Sequence, residues 1–167
     1  MNVQPIAIVL KKKLPQAQIT ALDNSEGALS VAKKNALLHD ADIHFRKADI
    51  LATPAEEFGL FDVIVSNPPY VKRREAEEMA PNVFLYEPHE ALFVPDEDPL
   101  LFYRHICDFA TRHLKLNGRI FFEINDAPGS HVQNLLRSNG FTEVETRKDM
   151  QSKDRMVRAV RPARQQN

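Results

Sequence analysis

Apolar and polar positions follow two rhythms along the chain: short continuous apolar runs, and longer stretches with helical spacing. PIAIVLKKKL, apolar and then basic, predicts a helix that starts at Pro5 and ends before Pro15. QITAL predicts a short buried strand. SEGALSVAKKNALL follows it, with Ala28, Leu29, Ala32, Ala36 and Leu37 recurring at helical spacing. DIHFRKADI reads as a second strand and its exit, and FDVIVS as a third. Residues 71–98 form a long polar stretch punctuated by prolines, an excursion that signals function more than connection. LLFYRHICDFATRHL predicts an amphipathic helix with Asn117-Gly118 as its C-terminal stop. RIFFEI predicts a strand and SHVQNLLRSNG a helix ending at Gly140; FTEVETR and RMVRAVR predict two closing strands.

Strands that alternate with helices imply parallel βαβ units and a doubly wound, mostly parallel α/β sheet. The last two strands have no helical pattern between them, so they are expected to pair antiparallel at an edge. The length suits one domain, taken as residues 1–161, with 162–167 as a flexible tail. In such sheets ligands bind beyond the carboxyl ends of the strands. Three polar stops fall there: Asp23 after QITAL, Asp49 after HFRKA, and Asn67 after DVIVS.

Composition narrows the classes. Charged residues make up 27% and the formal net charge is −1, so no global field recruits nucleic acid or an acidic membrane. The one cysteine, Cys107, excludes an intrachain disulfide, fits a reducing compartment and reads as a small core residue. No apolar stretch approaches the length of a spanning helix, and the N-terminal lysines follow the apolar run, the reverse of a signal peptide. A soluble, cytoplasmic protein is expected. The six histidines include no i, i+4 pair, and no metal site is expected. Lys72-Arg73-Arg74 is followed at once by Glu75, Glu77 and Glu78, which reads as a solvated charged helix start.

The chemistry concentrates at Asn67-Pro68-Pro69-Tyr70. Two adjacent prolines remove two N–H donors and lock two φ angles, and the residue before them is pushed towards an extended conformation. Such a segment holds one side-chain amide and a run of bare carbonyls at the mouth of the sheet. An acidic residue at the end of the strand before the second helix, here Asp23, commonly binds the ribose hydroxyls of a nucleotide-like cofactor. Capping of the next helix by Ser25, or by Asp23 with Glu26, explains the same residues equally well. Asp49 suits an exocyclic amine, although a turn cap is the simpler reading.

FDVIVSNPPY resembles the substrate motif of S-adenosylmethionine-dependent methyltransferases that modify planar nitrogens. YEPHEALF, FYRHICDFATRHLKLNGRIFFEI and KDMQSKDRMVRAV resemble the family that methylates the glutamine amide of peptide chain release factors. The likeness runs from about Pro5 to Arg161, and Glu87 to Phe93 separates it from the adenine- and cytosine-amino methyltransferases. The resemblance implies a Rossmann-like fold, S-adenosyl-L-methionine as cofactor and a release factor as protein partner. It implies that Asp23 with Asn24 holds the cofactor ribose and that Asp49 with Ile50 faces the adenine, with Asn67 also on the cofactor side. Asn67 and the Pro68 carbonyl then accept the two N–H bonds of the substrate amide while Tyr70 packs against its plane. Pro69, Glu87 and Pro88 complete the substrate-binding set.

Two departures from the family pattern stand out. MNVQPIAIVLKKKLP aligns with the helix after the family's glycine-rich loop, so the first strand, its glycines and the N-terminal helical domain have no counterpart. That strand is normally central, and two half-sheets or a new pairing are expected without it, with exposed edges. In EINDAPGSH, Asn125 stands where the family often has glycine. Two other readings remain open. A nucleic-acid amino-methyltransferase would want a recognition domain or a basic face. A remnant without cofactor binding would keep the sequence and lose the activity. Residues 147–164 carry seven basic and two acidic residues, which suits a ribosomal or release-factor surface and equally a solvated edge strand.

Overall fold

The structure, a computed structural model, describes residues 3–52, 58–69, 71–72, 93–124 and 129–163. It divides into two compact units, Met1–Thr53 and Pro54–Asn167.

The first unit runs α1 (Val3–Lys13), β1 (Thr20–Asp23), α2 (Glu26–Leu38) and β2 (His44–Lys47). Lys11, Lys12 and Lys13 crowd the last turn of α1, where cations meet the negative end of the helix dipole. The Lys11 ammonium also donates to the carbonyls of Pro15 at 3.0 Å and Ala17 at 2.8 Å, which fixes the chain leaving the helix. α2 begins where the Ser25 hydroxyl accepts from the Ala28 N–H at 3.2 Å. β1 and β2 pair in parallel from Thr20 opposite His44 to Asp23 opposite Lys47. Ile8, Ala36 and Ala41 form a small core, with Ile43 and Phe45 packed against it.

The second unit contains β3 (Phe61–Ser66), β4 (Val71–Lys72), β5 (Phe93–Val94), α3 (Leu101–His113), β6 (Leu114–Glu123), α4 (Gly129–Ser138), β7 (Thr142–Lys148) and β8 (Asp154–Val160). Its main sheet has the order β3-β6-β8-β7, with β3 and β6 parallel and the other pairs antiparallel. β4 and β5 form a separate short parallel pair. Ile120 and Phe122 of β6 and Val157 and Ala159 of β8 point to one face and are fully or almost fully buried, as is Ile124 just after β6. α3 and α4 cover that face: Tyr103 packs edge-on against Phe122, and Gln133 donates to the Thr146 hydroxyl beside Val157. The opposite face carries Val63, Val65 and Met156, each more than 40% exposed.

The antiparallel closing pair agrees with its pattern in the sequence. β1–β2 and β3–β6–β8–β7 form separate sheets, which agrees with the expectation of two half-sheets. The helix stop expected at Asn117-Gly118 is a correction. α3 already ends at His113, and Leu114 enters β6 directly. Leu114 pairs with Phe61 while Arg119 pairs with Val63, so the extra residues between them form a bulge, with Asn117 at φ 62°. A Cβ on Gly118 would lie 2.8 Å from the Lys115 carbonyl oxygen. Asn-Gly encodes left-handed, closely approaching backbone, and such backbone serves a bulge as readily as a helix end. At Gly140 the expectation agrees with the structure: its φ is 81°, and the Phe141 N–H returns to the Leu136 carbonyl at 3.0 Å.

Leu136 of α4 is fully buried, whereas Leu38 of α2 is 79% exposed. Leu136→Ala is therefore expected to cost about 2–5 kcal/mol in urea unfolding. Leu38→Ala should stay within about 0.5 kcal/mol of the parent. Equal losses for the two would contradict the packing.

Candidate active site

β1 ends at Asp23, whose side chain and backbone each fix a neighbouring segment. Its Oδ1 accepts from the Ser25 N–H at 2.9 Å, closing the turn that lets Ser25 cap α2. Its backbone carbonyl accepts from the Ala48 N–H at 3.0 Å, extending the pairing with β2. The residue is only 6% exposed, and Oδ2 is buried without a hydrogen-bond partner among the described residues. Leaving such an acceptor unmatched costs about 1–3 kcal/mol. Capping explains one oxygen and not the other. A ribose hydroxyl is a donor that fits Oδ2.

At the end of the neighbouring parallel strand, Asp49 Oδ1 accepts from the Leu51 N–H at 2.9 Å, and the Ala52 N–H returns to the Asp49 carbonyl at 3.1 Å. This is the turn cap that the sequence allowed as the simpler reading. Asp49 and Asn24 are exposed and Ile50 is half-buried, so this end of the two-stranded sheet is open to a ligand.

In the second unit the ladder of β3 with β6 runs to Ser66 opposite Phe122, and Asn67-Pro68-Pro69 follows. Pro68 and Pro69 are buried, which fixes the segment from both ends. Asn67 is half-exposed, yet its Oδ1 is buried and lacks a partner among the described residues. The start of β3 is pinned as firmly. The ring of His113 stacks on Phe109 with centroids 4.3 Å apart and its Nδ1 donates to the Gly59 carbonyl at 3.2 Å, while Phe58 meets both rings edge-on. The Lys115 ammonium meets both oxygens of Asp62 at 2.9 Å. The end of β6 is held by the Tyr103 hydroxyl, which donates to the Glu123 carbonyl at 3.0 Å.

Tyr70, Glu87 and Pro88 lie outside the described residues, as do Asn125 and Arg73-Arg74. Among the described residues no group of three or more His, Cys, Asp or Glu could hold a metal ion, and no helix is long and apolar enough to cross a membrane. Burial, and then the neighbouring Asp108, push the Cys107 thiol up to about 12, so it stays protonated and is no nucleophile.

The model of the methyltransferase small domain matches residues 3–95. This chain belongs to the methyltransferase small-domain family. It is 48% identical over 154 residues to the release factor glutamine methyltransferase of Flavobacterium psychrophilum, covering 92% of this chain and 53% of that protein. It is 44% identical over 156 residues to that of Bacteroides thetaiotaomicron, covering 93% of this chain and 56% of the relative. The chain thus spans about half the length of these curated relatives. Among solved structures, a methyltransferase from Pyrococcus furiosus superposes with a TM-score of 0.67 at 16% identity, over 93% of this chain and 68% of that one. That likeness bears on the Rossmann-like α/β fold alone.

One feature of this methyltransferase domain escaped the sequence reading. The turn between β7 and β8 is cross-braced by the Asp149 carboxylate and places Met150 wholly in solvent. The signal was available as Asp149 opening a short stretch, Met150-Gln151-Ser152-Lys153, between two strand patterns, which marks a side chain bonding its own turn.

A thiol that stays protonated to about pH 12 and is fully buried should not react. At pH 8 the folded chain is expected to resist a disulfide-exchange reagent for hours, and the urea-unfolded chain to react within minutes. Rapid modification of the folded form would mean that the α3 face is not closed.

Proposed function

We propose that this chain transfers a methyl group from S-adenosylmethionine to the side-chain amide nitrogen of a glutamine in a peptide chain release factor. The observation that carries the reading is the buried Oδ1 of Asn67, just after β3, which has no hydrogen-bond partner among the described residues. It is an acceptor held by two prolines, and an amide N–H is the donor it lacks. The relatives named above support the choice of amide, since their names specify release factor glutamine.

Asp23 Oδ2 fits a ribose hydroxyl of the cofactor, with Asn24 beside it and Asp49 and Ile50 towards the adenine. When bound, S-adenosylmethionine supplies an electrophilic methyl group on a sulfonium sulfur. An amide nitrogen is a poor nucleophile because its lone pair is delocalised into the carbonyl. Asn67 Oδ1 and the Pro68 carbonyl act on that weakness by accepting the two N–H bonds and fixing the direction of the nitrogen. Two acceptors so placed favour the pyramidal nitrogen that develops during attack. Tyr70 lies outside the described residues, and its role in packing against the amide plane rests on the resemblance. The surplus proton leaves after transfer, so no residue of the chain needs to be a strong base. Rate comes from positioning and preorganised dipoles. A release-factor substrate and a single cysteine, which forms no intrachain disulfide, support a cytoplasmic location.

Two titrations separate these roles. Calorimetry with S-adenosylmethionine should show binding by the parent chain and a loss of tenfold or more in Asp23→Ala. Asn67→Ala should weaken that binding far less than Asp23→Ala does and lose about 10²–10³ in the rate of methyl transfer to a release factor, the scale of one preorganised polar contact. A folded, monodisperse parent that does not bind S-adenosylmethionine would refute the proposal.

A further inference from the structure

Within the second unit, β3 and β6 run parallel and β8 runs against β6, with Glu123 opposite Met156. The C-terminal ends of β3 and β6 therefore lie at the same end of the sheet as the turn that joins β7 to β8. Asn67 leaves one side of that end. The turn joins β8, two strand spacings from β3, to β7, three spacings away, so it stands roughly 10–14 Å off. A protein chain that presents a side chain to Asn67 approaches this end of the sheet.

The turn is built to hold its shape. Asp149 Oδ1 accepts from the N–H groups of Gln151 at 2.8 Å and Lys153 at 3.1 Å, and Oδ2 accepts from the Arg155 guanidinium at 3.3 Å. The backbone closes on itself, with the Asp149 N–H on the Lys153 carbonyl at 2.8 Å and the Ser152 N–H on the Asp149 carbonyl at 3.1 Å. Ser152 sits at φ 63°, a left-handed conformation that a serine adopts only when its surroundings hold it there. The Lys153 N–H chiefly, then the Gln151 N–H and Arg155, hold the Asp149 carboxyl below the ordinary carboxylate range. This brace is intact at neutral pH and is lost only as pH falls through that lowered value.

This rigid turn displays Met150 at full exposure, and Met156 on the adjoining strand is 43% exposed. A single exposed apolar side chain needs no explanation by itself. An apolar side chain held out by a braced turn, at the end of the sheet that carries Asn67, is a different matter. Rigid presentation removes the ordering cost that a loose loop pays on binding, and methionine adapts its shape to an apolar recess. Around it Arg147 and Lys153 are exposed, while the Asp149 carboxylate is spent on the brace and that of Asp154 is paired with Lys148 at 2.9 Å.

We propose that the β7–β8 turn is a docking element for the protein substrate, with Met150 as its apolar anchor. The fitting partner surface is an apolar recess bordered by carboxylates. The proposal rests on the release-factor reading above and adds to it a contact remote from the reacting amide.

The test measures the affinity of this chain for an intact release factor and for S-adenosylmethionine side by side. Met150→Asp is expected to weaken release-factor binding tenfold or more and to leave S-adenosylmethionine binding within twofold, which also shows that the fold is kept. Met150→Leu should restore affinity to within about threefold of the parent. Raising the salt should weaken the parent's binding. If Met150→Asp binds the release factor as the parent does, the docking role is overturned and the reaction stands. If the parent binds S-adenosylmethionine but no release factor, the docking role falls together with the choice of substrate.

Discussion

A parallel ladder needs N–H donors, and after Ser66 two consecutive residues, Pro68 and Pro69, have none to give. The stop matters because everything upstream of it is anchored. Phe58, Phe109 and His113 pin the start of β3 to α3, and Asp62 is tied to Lys115. The bulge at residues 115–118 takes up the mismatch in register, so that Ile64, Val65 and Ser66 meet Ile120, Phe121 and Phe122 in phase. On the other strand, Tyr103 reaches over to the Glu123 carbonyl. Asn67 is therefore the first residue released from a strand fixed along its length, and the buried prolines stop it from drifting. A side-chain amide placed in this way can orient a weak nucleophile without moving itself.

Four buried side-chain polar atoms among the described residues lack a hydrogen-bond partner, and they divide by cause. Arg158 Nε lies 3.0 Å from Glu145 Oε2, an ion pair whose angle falls outside hydrogen-bond geometry, so its charge is balanced. His113 Nε2 is the far side of a ring whose near side meets the Gly59 carbonyl and whose faces meet aromatic neighbours; packing explains it. Asp23 Oδ2 and Asn67 Oδ1 have no such account. Both stand at the carboxyl ends of parallel strands, where open α/β sheets place their ligands. Unmatched acceptors cost free energy in the absence of a ligand, and each calls for a donor of the kind that a ribose or an amide offers.

Most of this was legible because two periodicities and two punctuating residue types carry it. The strands at QITAL and FDVIVS, the stripe of Ala32 and Ala36, and the glycine at 140 each encode their element locally. Asp23 and Asn67 were legible as strand-end polar stops. Asn117-Gly118 was misread because the dipeptide encodes a backbone conformation and leaves open whether a helix or a strand uses it. The deciding fact, Leu114 opposite Phe61, is a pairing between residues far apart in sequence. The role of Asp49 was split in the same way, since a carboxylate that caps its own turn and one that meets a ligand have the same sequence. Met150 was missed because hydrophobic patterning looks for burial, and its place depends on the brace that Asp149 makes with residues after it.

The strand that carries Asn67 is also the outermost of its sheet among the described residues. Its ladder lies on the β6 side only, and Val63 and Val65 stay exposed on the face that α3 and α4 do not cover. An outer strand with exposed valines is an invitation to further pairing or packing. The precision of Asn67 and the cover over Val63 and Val65 are consequently coupled. Anything that buries those valines adds apolar contact to the same strand, at about 25 cal/mol per Å² removed from water, and narrows the fluctuations of its end. Loss of such cover loosens the end without touching a single residue of the site. If Asn67 orients a substrate amide as proposed, the rate depends on how well β3 is held on both of its faces, as well as on the amide at its tip.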